Sequence, residues 1–248
     1  MGDGDVPGRC AVPLGLGAAA RRFHAGRRLA HQNDLVFVSG TPTLTARRVG
    51  HFFGRLRLFR DLSVSLHGGE SLAVTGANGS GKSTLLRILA GALSPRQGTV
   101  TLQLDGESLS EEEHPLQAGL VAPAVGVYEE LTARETLRFL ARARRLHSAD
   151  ARIDAVLETV GLAERADDPV GAYSSGMQQR VKYAAALLAR PPLLLLDEPS
   201  ANLDAAGREM VDAISDRQQA QGGLLVVATN RPEEAERHDR ALRIEDHR

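Results

Sequence analysis

The sequence predicts an α/β fold with a largely parallel central sheet and an inserted helical segment. Three observations lead there. Two short, uninterrupted apolar runs, residues 193–196 and 224–228, read as strands buried on both faces. A third apolar strand, residues 71–75, runs straight into a glycine-rich loop and then a helix. Strands and helices alternate from residue 47 onward, the pattern that lays helices over a parallel sheet. The length of 248 residues suits one domain carrying an extension or a lobe.

Taken in order, residues 1–46 are rich in Gly, Arg and Ala and show no sustained periodicity. They read as an N-terminal extension expected to be disordered, or as a basic arm for a membrane surface or partner. The folded domain is expected over 47–248. Residues 61–66 alternate like a half-buried strand, residues 67–70 form a turn, and residues 71–75 form the strand before the loop. Residues 83–90 read as a helix with Leu85, Leu86 and Leu89 on its apolar side, and residues 99–104 as another strand. A helical subdomain is expected over about 117–188. Within it Thr132 and Glu135 have capping-box spacing, and Gly161 is placed to end a helix that starts near residue 149. Residues 242–245 are expected to form a short final strand.

Composition excludes several classes. Hydrophobic residues make up 42% and charged residues 25%, which does not suit a mainly disordered or collagen-like chain. Cys10 is the single cysteine, so neither an internal disulfide nor a cysteine-based zinc site is expected. The eight histidines lack metal-ligand spacing. Net charge is −1, but residues 1–60 hold ten arginines against three aspartates, and the remainder holds 20 basic against 28 acidic residues. That balance does not support a nucleic-acid footprint. No stretch approaches the ~18 apolar residues of a membrane span. The longest candidate, residues 11–20, contains a proline and two glycines, and Arg21 and Arg22 follow it, so it does not suit a secretion signal. Only Lys82 and Lys182 are lysines among 30 basic residues. A lysine kept in so arginine-rich a chain suggests a need for a compact ammonium.

Gly76, Ala77, Asn78, Gly79, Ser80, Gly81, Lys82 and Ser83 fit the pattern G-x-x-x-x-G-K-[ST] in full, with Thr84 next in the helix. Glycines allow backbone N–H groups to curl around phosphates, and the helix N-terminus adds partial positive charge. Lys82 is expected to reach the β- and γ-phosphates, and Ser83 to offer its hydroxyl to Mg²⁺. The run 193–196 delivers Asp197 and Glu198 to a strand end, where open α/β sheets bind ligands. Asp197 suits a Mg²⁺ ligand, and Glu198 suits a group that polarises the attacking water. Between them, Ser174, Ser175 and Gly176 make a small-residue turn before an apolar helix, a second anion site. One chain has little use for two phosphate-binding turns on one nucleotide. Two chains facing head-to-tail do.

These motifs resemble the ATP-binding cassette (ABC) transporter ATPase subunits, over about residues 47–245. The resemblance implies a P-loop NTPase core with a mostly parallel sheet, an antiparallel β subdomain and an inserted α-helical subdomain. It implies ATP and Mg²⁺ as ligands and ATP hydrolysis as the activity. Residues 76–83 resemble the Walker A loop, Asp197 and Glu198 the Walker B pair, and Ser174, Ser175 and Gly176 the signature loop. Asp204 resembles the aspartate of the loop that couples two sites. Phe53, 29 residues before Lys82, stands where the family places a ring against adenine, although core packing also suits it. Expected partners are a second copy or homologous cassette and integral membrane permease subunits, with no nucleic acid. The expected location is the cytoplasmic face of the cell membrane, reached through those permeases.

Three departures stand out. The signature reads Ser174-Ser175-Gly176-Met177 rather than Ser-Gly-Gly-Gln, which resembles a variant among exporter-type cassettes, including the haem-export and cytochrome c maturation branch. Pro123 stands where the family has a glutamine, and Asn230 stands where it has a histidine near the γ-phosphate. Asparagine donates a hydrogen bond but carries no proton. Those two motivate an alternative, a low-turnover ATP-gated switch. A nucleic-acid-associated cassette is less favoured, because 115 residues separate Lys82 from Asp197 without sustained heptads. Arg134, Arg138, Arg142, Arg144 and Arg145 form a basic stripe, read as a solvated face or as a docking face for a membrane subunit or lipid head groups. His238 and Asp239 resemble a structural pair of the family.

Overall fold

The computed structural model describes Met1, residues 40–201 and residues 203–247. The chain divides into two units, Met1–Gln32 and Asn33–Arg248, and all described residues but Met1 belong to the second. The reading of residues 1–46 as an extension lies outside the described residues as far as residue 39.

A hairpin opens the fold. β1 (Pro42–Phe53) and β2 (Leu56–His67) run antiparallel, with Phe53 opposite Leu56 across a two-residue turn that has Gly54 at positive φ. β1 therefore begins five residues inside the segment read as the extension. β3 (Ser71–Thr75) is almost wholly buried and leads into the glycine loop and α1 (Lys82–Leu89). β4 (Gln97–Leu104) and β5 (Glu107–Ser108) complete an antiparallel sheet of order β2-β1-β4-β5. β6 (Ala118–Val121) lies within the stretch read as helical subdomain, yet it joins the parallel sheet. Only four residues long, it carries too little pattern to be read as a strand.

Three helices follow: α2 (Ala133–Ala143), α3 (Ala149–Thr159) and α4 (Ser175–Leu187). Thr132 and Glu135 form the expected reciprocal capping box on α2. α3 ends at Thr159, and Gly161 supplies the left-handed residue beyond it. Arg134 pairs with Asp154 and Asp167, and Arg138 with Asp150, so part of the basic stripe is spent on neutralising helix α3 and the loop after it.

β7 (Leu193–Asp197), α5 (Ala205–Ala220), β8 (Leu224–Thr229), the short α6 (Pro232–Ala235) and β9 (Arg240–Arg243) complete the chain. The expected final strand over 242–245 is displaced: β9 starts at Arg240, and Ile244–His247 is a 3-10 turn. The parallel sheet has the order β6-β7-β8-β3-β9. Its pleat divides each apolar run between two cores. Leu194, Leu196, Leu225 and Val227 face α2–α5. Leu193, Leu195, Leu224 and Val226 face α1 and the antiparallel sheet. This explains the continuous apolar runs, since neither face meets water. Because the strands are parallel, the carboxyl ends of β3, β7 and β8 share one edge, and the chemistry gathers there.

Candidate functional site

The glycine loop leaves the end of β3 and turns back onto the first turn of α1. Gly76 has φ 151°, and a Cβ there would sit 2.7 Å from Ser80 Oγ and 2.8 Å from a Glu245 oxygen. Gly81, the N-cap of α1, has φ 110°. Both conformations need glycine. Ser80 is buried, and Lys82 is only 6% exposed. The Lys82 ammonium donates to the Gly76 carbonyl at 2.8 Å and to the Ala77 carbonyl at 3.3 Å, and it lies 3.4 Å from Glu198 Oε1. A buried cation held by two neutral carbonyls and one carboxylate is placed to accept a further anion.

β7 ends at Asp197, which is 3% exposed, and Glu198 follows with φ 50°. That left-handed conformation is uncommon for a glutamate and turns the chain sharply at the strand end. The Glu198 amide donates to the Ala228 carbonyl on β8, and the Ala201 amide donates to the Glu198 carbonyl. A cavity of about 380 Å³ is lined by Phe53, Leu58, Asn78, Gly79, Gly81, Lys82, Ser83, Thr84, Pro123, Asp197 and Glu198. Seven of the fourteen residues read as nucleotide-binding thus line one cavity, together with Asp197 and Glu198. Phe53 is 52% exposed and forms one wall, so it is not part of the core, and the His51 ring meets it edge-on at 4.9 Å. Pro123 lines the cavity with no side-chain donor to offer.

Asn230 lies just beyond β8 and donates from Nδ2 to Asn78 Oδ1 at 3.2 Å, which brings it against the glycine loop. Ser174, Ser175 and Gly176 do not line this cavity; Ser174 and Ser175 are exposed, and Ser174 caps α4 by accepting from the Met177 amide. Asp204 is also exposed. It caps α5 by accepting from the Gly207 amide, which with nearby Arg180 holds its carboxyl below the usual aspartate range. Within one chain these residues remain apart from the glycine loop's cavity.

The residues suit Mg-ATP. The cavity is large enough for a nucleotide's phosphates, and a Cβ at Gly79 would meet nothing within 4 Å, which leaves the loop's outer side open. Among the described residues there is no cluster of three or more His, Cys, Asp or Glu side chains that could hold a metal on its own. Ser83 and Asp197 supply two oxygens, a donor set that suits Mg²⁺ arriving with its waters and a triphosphate.

Three contributors carry no local signal in the sequence. Leu58 comes from β2 and lines the cavity. Glu245 accepts from the Ala77 amide at 2.7 Å. Parallel pairing sets Thr75 beside Arg243, so two residues further on Ala77 meets Glu245. Tyr183, buried in α4, donates to the Pro199 carbonyl next to Glu198. Only register or tertiary packing could have revealed them.

Comparison with known proteins agrees with this geometry. The family model described as ABC transporter matches residues 59–201. A Rhizobium etli protein named cytochrome c biogenesis ATP-binding export protein CcmA is 39% identical over 195 residues, covering 76% of this chain and 88% of the relative. A solved structure described as the ATP binding subunit of an ABC transporter superposes with a TM-score of 0.70 at 29% identity, covering 79% of this chain and 82% of the other. A dimeric ATP-binding cassette in a post-hydrolysis state, bound to ADP and Pi, shares the fold with a TM-score of 0.70 at 24% identity, over 81% of this chain and 93% of that one. The α/β core with its P-loop, the clustered motifs and these likenesses agree: the chain belongs to the ABC transporter family, as one of its ATP-binding ATPase subunits.

Proposed function

We propose that this chain is the motor of an exporter, closing head-to-tail with a second copy or homologous cassette around two Mg-ATP and acting on separate permease subunits. The observation that carries the ATPase chemistry of this reading is the Lys82–Glu198 pair among the residues that line the cavity. Lys82 neutralises Glu198 while no phosphate is near. An arriving γ-phosphate draws the ammonium away and leaves Glu198 as a free carboxylate beside the reacting centre. Glu198 then orients a water for in-line attack on the γ-phosphorus and accepts its proton, and ADP and phosphate are released. Mg²⁺, held by Ser83 and Asp197, would neutralise charge on the phosphates. Phe53 stacks on the adenine ring. Residues 76–84 bind the phosphates through backbone N–H groups and the start of α1.

The exposed Ser174 and Ser175, with the half-buried Gly176, complete the partner's site, which accounts for their absence from the chain's own cavity. Asp204 stands on the loop between the two sites. The likeness to a cytochrome c biogenesis export protein favours export in cytochrome maturation. Among the described residues no helix is long and apolar enough to cross a membrane, so the path across the bilayer would belong to the permeases. Attachment would be to the cytoplasmic face, through those subunits.

The test is purification of a tagged Glu198→Gln chain from detergent-solubilised membranes with Mg-ATP, followed by mass spectrometry. A stoichiometric multispanning partner supports the reading. Recovery as a soluble dimer alone favours the second reading, an ATP-gated switch, which the Asn230–Asn78 contact and Pro123 at the cavity support.

A further inference from the structure

We infer that Glu234 is a positioning residue that holds Glu198 in its reactive geometry by tying the loop that carries it to the end of β8. The inference rests on the reading of Glu198 above. Glu234 lies on α6, a short helix otherwise outside the site. Its two carboxylate oxygens take separate partners, both at 2.5 Å. Oε1 accepts from Ser200 Oγ, and Oε2 accepts from Thr229 Oγ1. Ser200 lies two residues after Glu198, on the loop that carries Asp204. Thr229 is wholly buried at the end of β8, immediately before Asn230. One carboxylate therefore staples the β7–α5 loop to the last residue of β8.

That staple has a use. Glu198 sits at φ 50°, a conformation that persists in a non-glycine residue only where its surroundings fix it. Three other bonds flank it: its own amide to Ala228, Ala201 to its carbonyl, and Tyr183 to the Pro199 carbonyl. All four constraints hold the same short segment, and Glu234 supplies the one made by a charged group. Hydrogen bonds to a carboxylate are about twice as strong as neutral ones. The Arg231 amide donates to Thr229 Oγ1, so the hydroxyl that Glu234 orients also fixes the residue after Asn230. Glu234 thus sets the relation between Glu198, Asn230 and the loop of Asp204 while touching none of their side chains.

The test compares the full chain with Glu234→Ala, Glu234→Gln and the pair Ser200→Ala with Thr229→Val. Two measurements are made: steady-state ATP hydrolysis, and backbone hydrogen exchange over residues 198–204 without nucleotide. Glu234→Ala should lower kcat at least tenfold with KM for ATP within threefold. Exchange at 198–204 should rise at least tenfold, while residues 82–89 exchange as in the parent. Glu234→Gln should fall between. Adding Glu234→Ala to the hydroxyl pair should cost nothing further, because the carboxylate then has no partners to hold. Unchanged exchange at 198–204 overturns the proposal whatever the rates, as does a further tenfold loss in the triple variant. A wild-type chain that hydrolyses no ATP overturns the functional reading instead, and the exchange data still decide the role of Glu234.

Discussion

Replacing Gly81 by alanine puts a Cβ where the glycine loop turns into α1. Two costs follow from the structure. The residue holds φ 110°, and a non-glycine residue in such a sparsely populated region costs about 1–3 kcal/mol. The new Cβ would also lie 3.2 Å from Leu58 Cβ, a tight contact, and 3.4 Å from the fully buried Phe59. A total near 2 kcal/mol corresponds to about a 30-fold change in an equilibrium constant. If the free loop relaxes, binding must restore its shape, and the loss falls on Mg-ATP affinity. If it does not relax, the loss falls on folding and lowers Tm by about 4–8 °C. Calorimetric titration with Mg-ATP in a Glu198→Gln background, with thermal unfolding of the same protein, separates the two. An affinity within twofold and a Tm within about 1 °C of the parent would refute the claim that this loop depends on the backbone freedom of Gly81.

Other expectations follow from named contacts. Tyr183→Phe strands the Pro199 carbonyl in the core and should cost about 1–2 kcal/mol, seen as a lowered Tm by calorimetry. Asp239 accepts from both the amide and the hydroxyl of Ser71, which holds its carboxyl below its ordinary value of 3.8. Because its folded value is depressed, its stabilising effect is present above the unfolded value and disappears as pH falls through the folded value. Asp239→Asn should therefore lower stability near neutrality and flatten its decline below about pH 4, as followed by urea unfolding across pH.

Much of the candidate site was legible because the residues expected to carry its chemistry are close in sequence. A phosphate loop must bring glycines, a lysine and a hydroxyl into eight consecutive residues, and a strand end must carry its two carboxylates side by side. The continuous apolar runs of β7 and β8 likewise reveal their own burial on both faces. What stayed hidden depends on register or on distant packing. Glu245 reaches Ala77 only because β9 pairs in parallel with β3. Glu234 reaches Ser200 across 34 residues of sequence. β6 is too short to reveal a period, and the charged Arg240 and Arg243 hide the bounds of β9, expected over 242–245. The arginines on α2 read as a basic stripe until α3 brings their aspartate partners.

In the proposed mechanism Glu198 activates water in a site completed by a second chain. The most direct measurement is sedimentation of purified Glu198→Gln with Mg-ATP, alongside its turnover. Glu198→Gln should form a stable dimer holding two ATP and turn over at least 100-fold below the parent, the size of effect that removing a general base produces. A Glu198→Gln chain that stays monomeric with ATP bound, or that turns over ATP as fast as the parent, would contradict it.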